Sequence, residues 1–162
     1  MKLALIGCGN IAKFHVEAFN FLGINITHCA SSLNSKTVNE FAAKYKIPNV
    51  WTDPIKLVNS HNLWDGIILC TPTKLIPSYL ERILEFQKPI LVEKPVSIGT
   101  DYLKKFKSHC PKYVQVAYNR RFYHTVNYLK NFIENSSGQL LCKLILPEKV
   151  IKNRYKNSWF GI

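Results

Sequence analysis

Two short stretches of this 162-residue chain carry groups whose type and spacing could do chemistry. The first is Gly7-Cys8-Gly9-Asn10-Ile11-Ala12, a G-x-G-x-x-A spacing directly after the apolar run Leu3-Ala4-Leu5-Ile6. Gly7 permits a tight turn, Gly9 lets backbone approach a bulky anion, and Ala12 lets a following helix pack closely. A pyrophosphate would then rest on helix N–H groups that have no other partner. The second stretch is Glu93-Lys94-Pro95. A lysine between a carboxylate and a dry site polarises or deprotonates an alcohol while hydride leaves its carbon, if burial lowers its pKa. Pro95 would fix the turn that presents Lys94, and an X-Pro bond is where a cis peptide occurs. The plainer alternative is an ordinary surface pair at a strand end.

These groups need strand ends to hold them. Leu3 to Ile6 is a continuous apolar run, as in a strand buried on both faces. From Asn10 to Leu22 the positions Ile11, Phe14, Ala18, Phe21 and Leu22 recur at helical spacing and suit a core-facing helix. Strand patterns follow at Ile24–Ala30, Val50–Thr52, Leu63–Cys70, Pro89–Val92, Tyr113–Tyr118 and Gln139–Leu146. Helical patterns alternate with them. Lys36–Tyr45 has Val38, Phe41, Ala42 and Tyr45 on one face, and Pro54–Asn59 opens on Asp53-Pro54. Leu75–Phe86, Ser97–Phe106 and Tyr123–Glu134 complete the set. Such alternation predicts an α/β fold, a doubly wound parallel sheet with helices on both faces.

Right-handed crossovers bring every strand's C-terminal end to one edge, where open α/β sheets bind ligands. The clusters at those ends are Gly7-Cys8-Gly9, Ser31-Ser32, Thr71-Pro72-Thr73, Glu93-Lys94-Pro95 and Asn119-Arg120-Arg121. A full row of polar or glycine clusters turns the glycine spacing into a dinucleotide-binding signature. NAD sites place Asp or Glu about 20 residues after the glycines, to hold the ribose 2′-OH. Here no acidic residue lies between Glu17 and Glu40, and the second strand ends in two hydroxyls with Lys36 just beyond. Ser31, Ser32 and Lys36 suit a 2′-phosphate that a carboxylate would repel, which points to NADP over NAD. Either serine would also cap the following helix.

Composition bounds the alternatives. A chain of this length can bury a core without disulfide or metal staples, and 47% hydrophobic with 20% charged residues is globular. Met1-Lys2 followed by Leu3–Ile6 resembles a signal start, but an h-region needs roughly 7–15 apolar residues. No run approaches a membrane span. The cysteines at 8, 29, 70, 110 and 142 form no C-x-x-C pair and fit a reducing cytoplasm. No metal site is expected. The net charge of +12 raises nucleic acid as a partner. Only four of the 22 basic residues are arginines, and the lysines are spread along the chain without a recognisable nucleic-acid-binding motif, so a solvated surface is the better reading.

Taken together, Gly7–Ala12, Cys70-Thr71-Pro72-Thr73, Glu93-Lys94-Pro95 and Tyr118-Asn119-Arg120-Arg121-Phe122 resemble the glucose–fructose oxidoreductase/inositol dehydrogenase family, Gfo/Idh/MocA, over about the first 146 residues. The resemblance implies a Rossmann fold and an NAD(P)-dependent oxidoreductase of sugars, inositols or nucleotide sugars. It implies that Gly7, Gly9, Asn10, Ile11 and Ala12 hold the pyrophosphate. Thr71, Pro72 and Thr73 would line the adenosine and nicotinamide path, and Glu93 would lie near the nicotinamide ribose. Lys94, held by Pro95, would stand beside the nicotinamide and contact the substrate hydroxyl. Arg120 and Arg121, with Asn119, would reach an acidic substrate or the cofactor, or only anchor the next helix.

The chain also departs from the family. A histidine often found in the helix after Thr-Pro is replaced here by Ile76, followed by Pro77. A second α/β domain would follow a cofactor domain of residues 1–118, and residues 119–162 hold only a connecting helix and its start. The expected partner is a small sugar-type substrate, with a homo-oligomer or a missing C-terminal domain left open. A non-catalytic NAD(P)-binding module, or a truncated and inactive product, is the alternative function.

Overall fold

The computed structural model describes residues 1–32, 35, 37–105, 111–141 and 143. Lys36, Cys110 and Cys142 lie outside them, as does half of the strand expected at Gln139–Leu146, of which residues 139–141 and 143 are described and are not in a strand. Six strands, β1 (Leu3–Ile6), β2 (Ile26–Ala30), β3 (Asn49–Trp51), β4 (Gly66–Leu69), β5 (Ile90–Val92) and β6 (Val114–Val116), form one sheet in the order β3-β2-β1-β4-β5-β6. Every pairing is parallel. This is the doubly wound dinucleotide-fold order, with the reversal of direction between β1 and β4. The expected fold class is the observed one.

Helices α1 (Ala12–Phe21), α2 (Val38–Tyr45), α3 (Pro54–Asn59), α4 (Ile76–Leu84) and α5 (Thr100–Lys104) alternate with the strands. Short 3₁₀ turns stand at His61–Leu63, Thr73–Leu75 and Asn119–Phe122. Alternation along β1 sorts the core into two layers, because successive strand side chains point to opposite faces. Ala4 and Ile6 join Leu57, Val58, Ile76, Leu80 and Ile83 of α3 and α4, around the fully buried Trp64. The indole N–H of Trp64 donates to the Leu57 carbonyl at 3.0 Å, so its polar atom is satisfied inside the core. Leu3 and Leu5 face the other way, onto Ala12 and Val16 of α1 and Val38 and Ala42 of α2.

The face of α1 differs from the expected one. Ile11, Phe14, Phe21 and Leu22 are exposed, Phe21 at 91%, while Ala12 and Val16 are buried. The glycine turn sets the helix phase. The smallest side chain, Ala12, must face the sheet for α1 to pack closely, and that rotates the larger residues outward. The α4 pattern matches its expectation, since Ile76, Leu80 and Ile83 are all buried.

The chain divides after Asn119 into two units. In the second, α6 (His124–Glu134) has no buried residue.

Candidate dinucleotide site

At the C-terminal edge of the sheet, backbone hydrogen bonds link each strand end to its neighbour. Gly7 N–H donates to Ala30 O at 2.8 Å, Cys70 N–H to Ile6 O at 2.7 Å and Glu93 N–H to Leu69 O at 2.9 Å. Ser31 N–H donates to Trp51 O at 3.3 Å, and Ala117 N–H to Val92 O at 2.9 Å. The clusters expected at these ends are therefore assembled along one edge within the first unit. Gly7, Gly9, Asn10, Ile11, Ala12, Ser31, Ser32, Thr71, Pro72, Thr73, Glu93, Lys94, Pro95 and Asn119 belong to it; Arg120 and Arg121 open the second unit.

The glycines differ in what they do. Gly7 has φ +93°, and a Cβ there would lie 2.4 Å from the Cys70 carbonyl oxygen and 2.9 Å from Thr71 N. Protein packing alone requires glycine at this position. A Cβ on Gly9 would meet nothing within 4 Å. Its small size faces open space, as a residue does where a ligand comes close to the backbone.

Two further observations test whether a phosphate-bearing cofactor fits. Helix α1 has no side-chain cap and no acidic residue in its first turn. By contrast α3 is capped by Asp53, which accepts from Ile55 N–H at 2.9 Å and Lys56 N–H at 3.3 Å. An uncapped N-terminus keeps its partial positive charge for an anion. Beside it, the Thr71 hydroxyl oxygen is buried with no hydrogen-bond partner among the described residues. A buried hydroxyl without a partner is costly and calls for one from outside the protein. The residues present fit a dinucleotide.

The Glu93-Lys94-Pro95 turn follows β5, and its Lys94–Pro95 peptide is cis. The Lys94 side chain is exposed, so the burial on which the sequence argument leaned is absent in this unit. The carboxylate of Glu93 is mostly buried and meets His15 Nε2 at 2.7 Å, while its other oxygen accepts the Lys94 N–H at 3.1 Å. Burial alone would raise the Glu93 carboxyl. The hydrogen bond and charge of His15, together with the N–H and charge of Lys94, outweigh burial and hold it below the usual carboxylate range. Burial, then the Glu93 charge, push the neighbouring Cys70 thiol up. His15 was not singled out by the sequence reading. The available signal was its place on α1 beside the buried positions Ala12 and Val16, but nothing local names a partner 78 residues away.

Ile76, at the place of the family's frequent histidine, is buried at 1% exposure. Among the described residues no group of three or more His, Cys, Asp or Glu is arranged to hold a metal ion. No described helix is long and apolar enough to cross a membrane.

The fold and edge define a dinucleotide-binding α/β domain. Residues 1–119 match the oxidoreductase family GFO_IDH_MocA, NAD-binding Rossmann fold, and the chain belongs to that family. It is 27% identical over 134 residues to the uncharacterized oxidoreductase YrbE of Bacillus subtilis, covering 81% of this chain and 39% of that one. It is 28% identical over 145 residues to an inositol 2-dehydrogenase of Rhodococcus erythropolis, covering 86% and 41%. The WlbA dehydrogenase of Bordetella pertussis, solved with NADH and UDP-GlcNAcA, superposes with TM-score 0.71 at 21% identity, over 82% of this chain and 41% of that one. The chain thus spans about 40% of the length of the curated relatives it matches.

Proposed function

We propose that this chain is the cofactor-binding part of an NAD(P)-dependent oxidoreductase acting on a hydroxyl of a sugar, nucleotide sugar or polyol. The observation that carries the reading is the Thr71 hydroxyl, without a partner among the described residues, beside the Gly7 turn and the uncapped start of α1. In this reading residues 1–118 form the cofactor domain and residues 119–162 begin the substrate part. The backbone of Gly7–Ala12 holds the pyrophosphate, and Thr71, Pro72 and Thr73 line the path toward the nicotinamide. Glu93 and Pro95 fix the turn from which Lys94 works. When bound, the nicotinamide exchanges a hydride with the carbinol carbon. Lys94 hydrogen-bonds the reacting hydroxyl and polarises it, the hydroxyl proton passing to solvent as the alcohol is oxidised. The three described cysteines are free and buried, which supports a reducing cytoplasm as its location.

For the adenosine end we propose NADP over NAD. Ser31 is half-buried and Ser32 exposed at the end of β2, and no carboxylate lies between Glu17 and Glu40. Two hydroxyls, followed in sequence by Lys36, accommodate a 2′-phosphate better than a carboxylate would. Fluorescence titration with NADPH and NADH tests both levels. Tighter binding of NADPH is the expected result. A preference for NADH overturns the 2′-phosphate argument alone, and binding of neither overturns the cofactor reading.

A further inference from the structure

Helix α1 does more than offer its N-terminal amides. One turn in, His15 reaches past the end of β4 to the end of β5, since β1 pairs with β4 and β4 with β5. Its Nε2 lies 2.7 Å from Glu93 Oε1, with only 14% and 13% of the two side chains exposed. Glu93 is thereby held at three points: its N–H by Leu69 O, one carboxylate oxygen by His15, the other by the Lys94 N–H. A mostly buried carboxylate needs such partners. Of the three, only His15 comes from outside the sheet and the turn itself. The same helix begins at the glycine turn, where Ala12 N–H bonds Gly9 O at 3.1 Å.

We propose that His15 is a positioning residue which, through Glu93, ties the Lys94 turn to the helix that carries the glycine turn. The two ends of one dinucleotide, phosphate and nicotinamide, are then received by elements braced against each other. The inference rests on the dinucleotide reading above. Without His15, the carboxylate keeps the Lys94 N–H alone and the turn loses its anchor on α1. A glutamine at position 15 retains a donor able to reach the carboxylate.

Amide hydrogen exchange on the full chain without ligand tests the brace directly. In His15→Ala the Lys94 amide is expected to exchange about tenfold faster, while amides of β1 and β4 keep their protection. In His15→Gln it stays near the wild-type rate. Unchanged Lys94 exchange in His15→Ala, or equal acceleration through β1 and β4, overturns the proposal. Should His15→Ala fail to fold, His15→Leu, which keeps the bulk without a donor, serves with the same readout: faster exchange confined to Lys94 supports the brace, and none overturns it. Binding adds a second readout. His15→Ala is expected to bind NADPH about tenfold more weakly, with ADP-ribose affinity unchanged, because only the nicotinamide end depends on the brace. Equal losses for both ligands overturn the proposal. A wild-type chain that binds neither overturns the dinucleotide reading instead, and Lys94 exchange still decides whether His15 holds the turn.

Discussion

At Gly7 the chain turns where any Cβ would lie 2.4 Å from the Cys70 carbonyl oxygen, with φ at +93°. At Lys94 it turns beneath a carboxylate held at 2.7 Å by a histidine from another element. Both turns end a parallel strand on the same sheet edge, but the first is fixed by hard contacts and the second by a polar clamp. Steric fixing admits one residue type and is insensitive to pH. A polar clamp depends on the charge of Glu93 and on the presence of a partner distant in sequence, so it can be loosened without dismantling the sheet.

The largest effect should come from attacking the steric turn. Gly7→Ala combines a disfavoured φ with a backbone clash and should cost roughly 3 kcal/mol or prevent folding, measured by urea unfolding. A cost below about 0.5 kcal/mol would mean that the turn yields easily and that the contrast is false.

The clamp comes next. Glu93→Gln should cost about 1–2 kcal/mol at neutral pH, since a charged hydrogen bond in a mostly buried site is lost. The Glu93 carboxyl is held below its usual range, so the unfolded chain takes up this proton at higher pH than the folded one. The contribution is therefore complete above the ordinary carboxylate pKa and lost as pH falls through the lower folded value. The stability gap between wild type and Glu93→Gln should narrow below about pH 4. A gap constant from pH 7 to 3 would separate Glu93 from the clamp.

Smaller effects separate ligand roles from folding roles. Thr71→Val removes a buried hydroxyl that has no partner among the described residues. It should leave stability unchanged or raise it by about 1 kcal/mol while weakening NADPH binding. Marked destabilisation would show that the hydroxyl is satisfied within the protein. Gly9→Ala should change stability by less than about 0.5 kcal/mol, because its Cβ meets open space. It should still weaken NADPH binding. A fold as damaged as that of Gly7→Ala would erase the distinction between the two glycines.

Much of the architecture was legible because it follows from local physics. Apolar or β-branched runs ending in glycine, hydroxyl or charged clusters marked β1, β2, β4 and β5, and parallel crossovers placed those clusters on one edge. Element limits were broader in the sequence pattern than in the fold. The expected helix Ser97–Phe106 is α5, Thr100–Lys104, within the described residues, because short segments are helical only where packing supports them.

By itself, then, the sequence determined the alternating α/β order, the glycine turn and the row of polar strand ends. Each depends on residues adjacent in the chain and on sterics that act over a few bonds. Tertiary structure alone decided the rotation of α1, which exposes Phe14 and Phe21 and buries Ala12 and Val16. It also decided the joining of His15 to Glu93, the lack of a partner for the Thr71 hydroxyl among the described residues and the exposure of Lys94. Helical periodicity names a stripe but not which side meets the sheet, since close packing of the smallest residue can outweigh the pull of larger ones. A hydrogen bond across 78 residues leaves no local trace, because its partners meet only after the sheet has brought α1 and the end of β5 together.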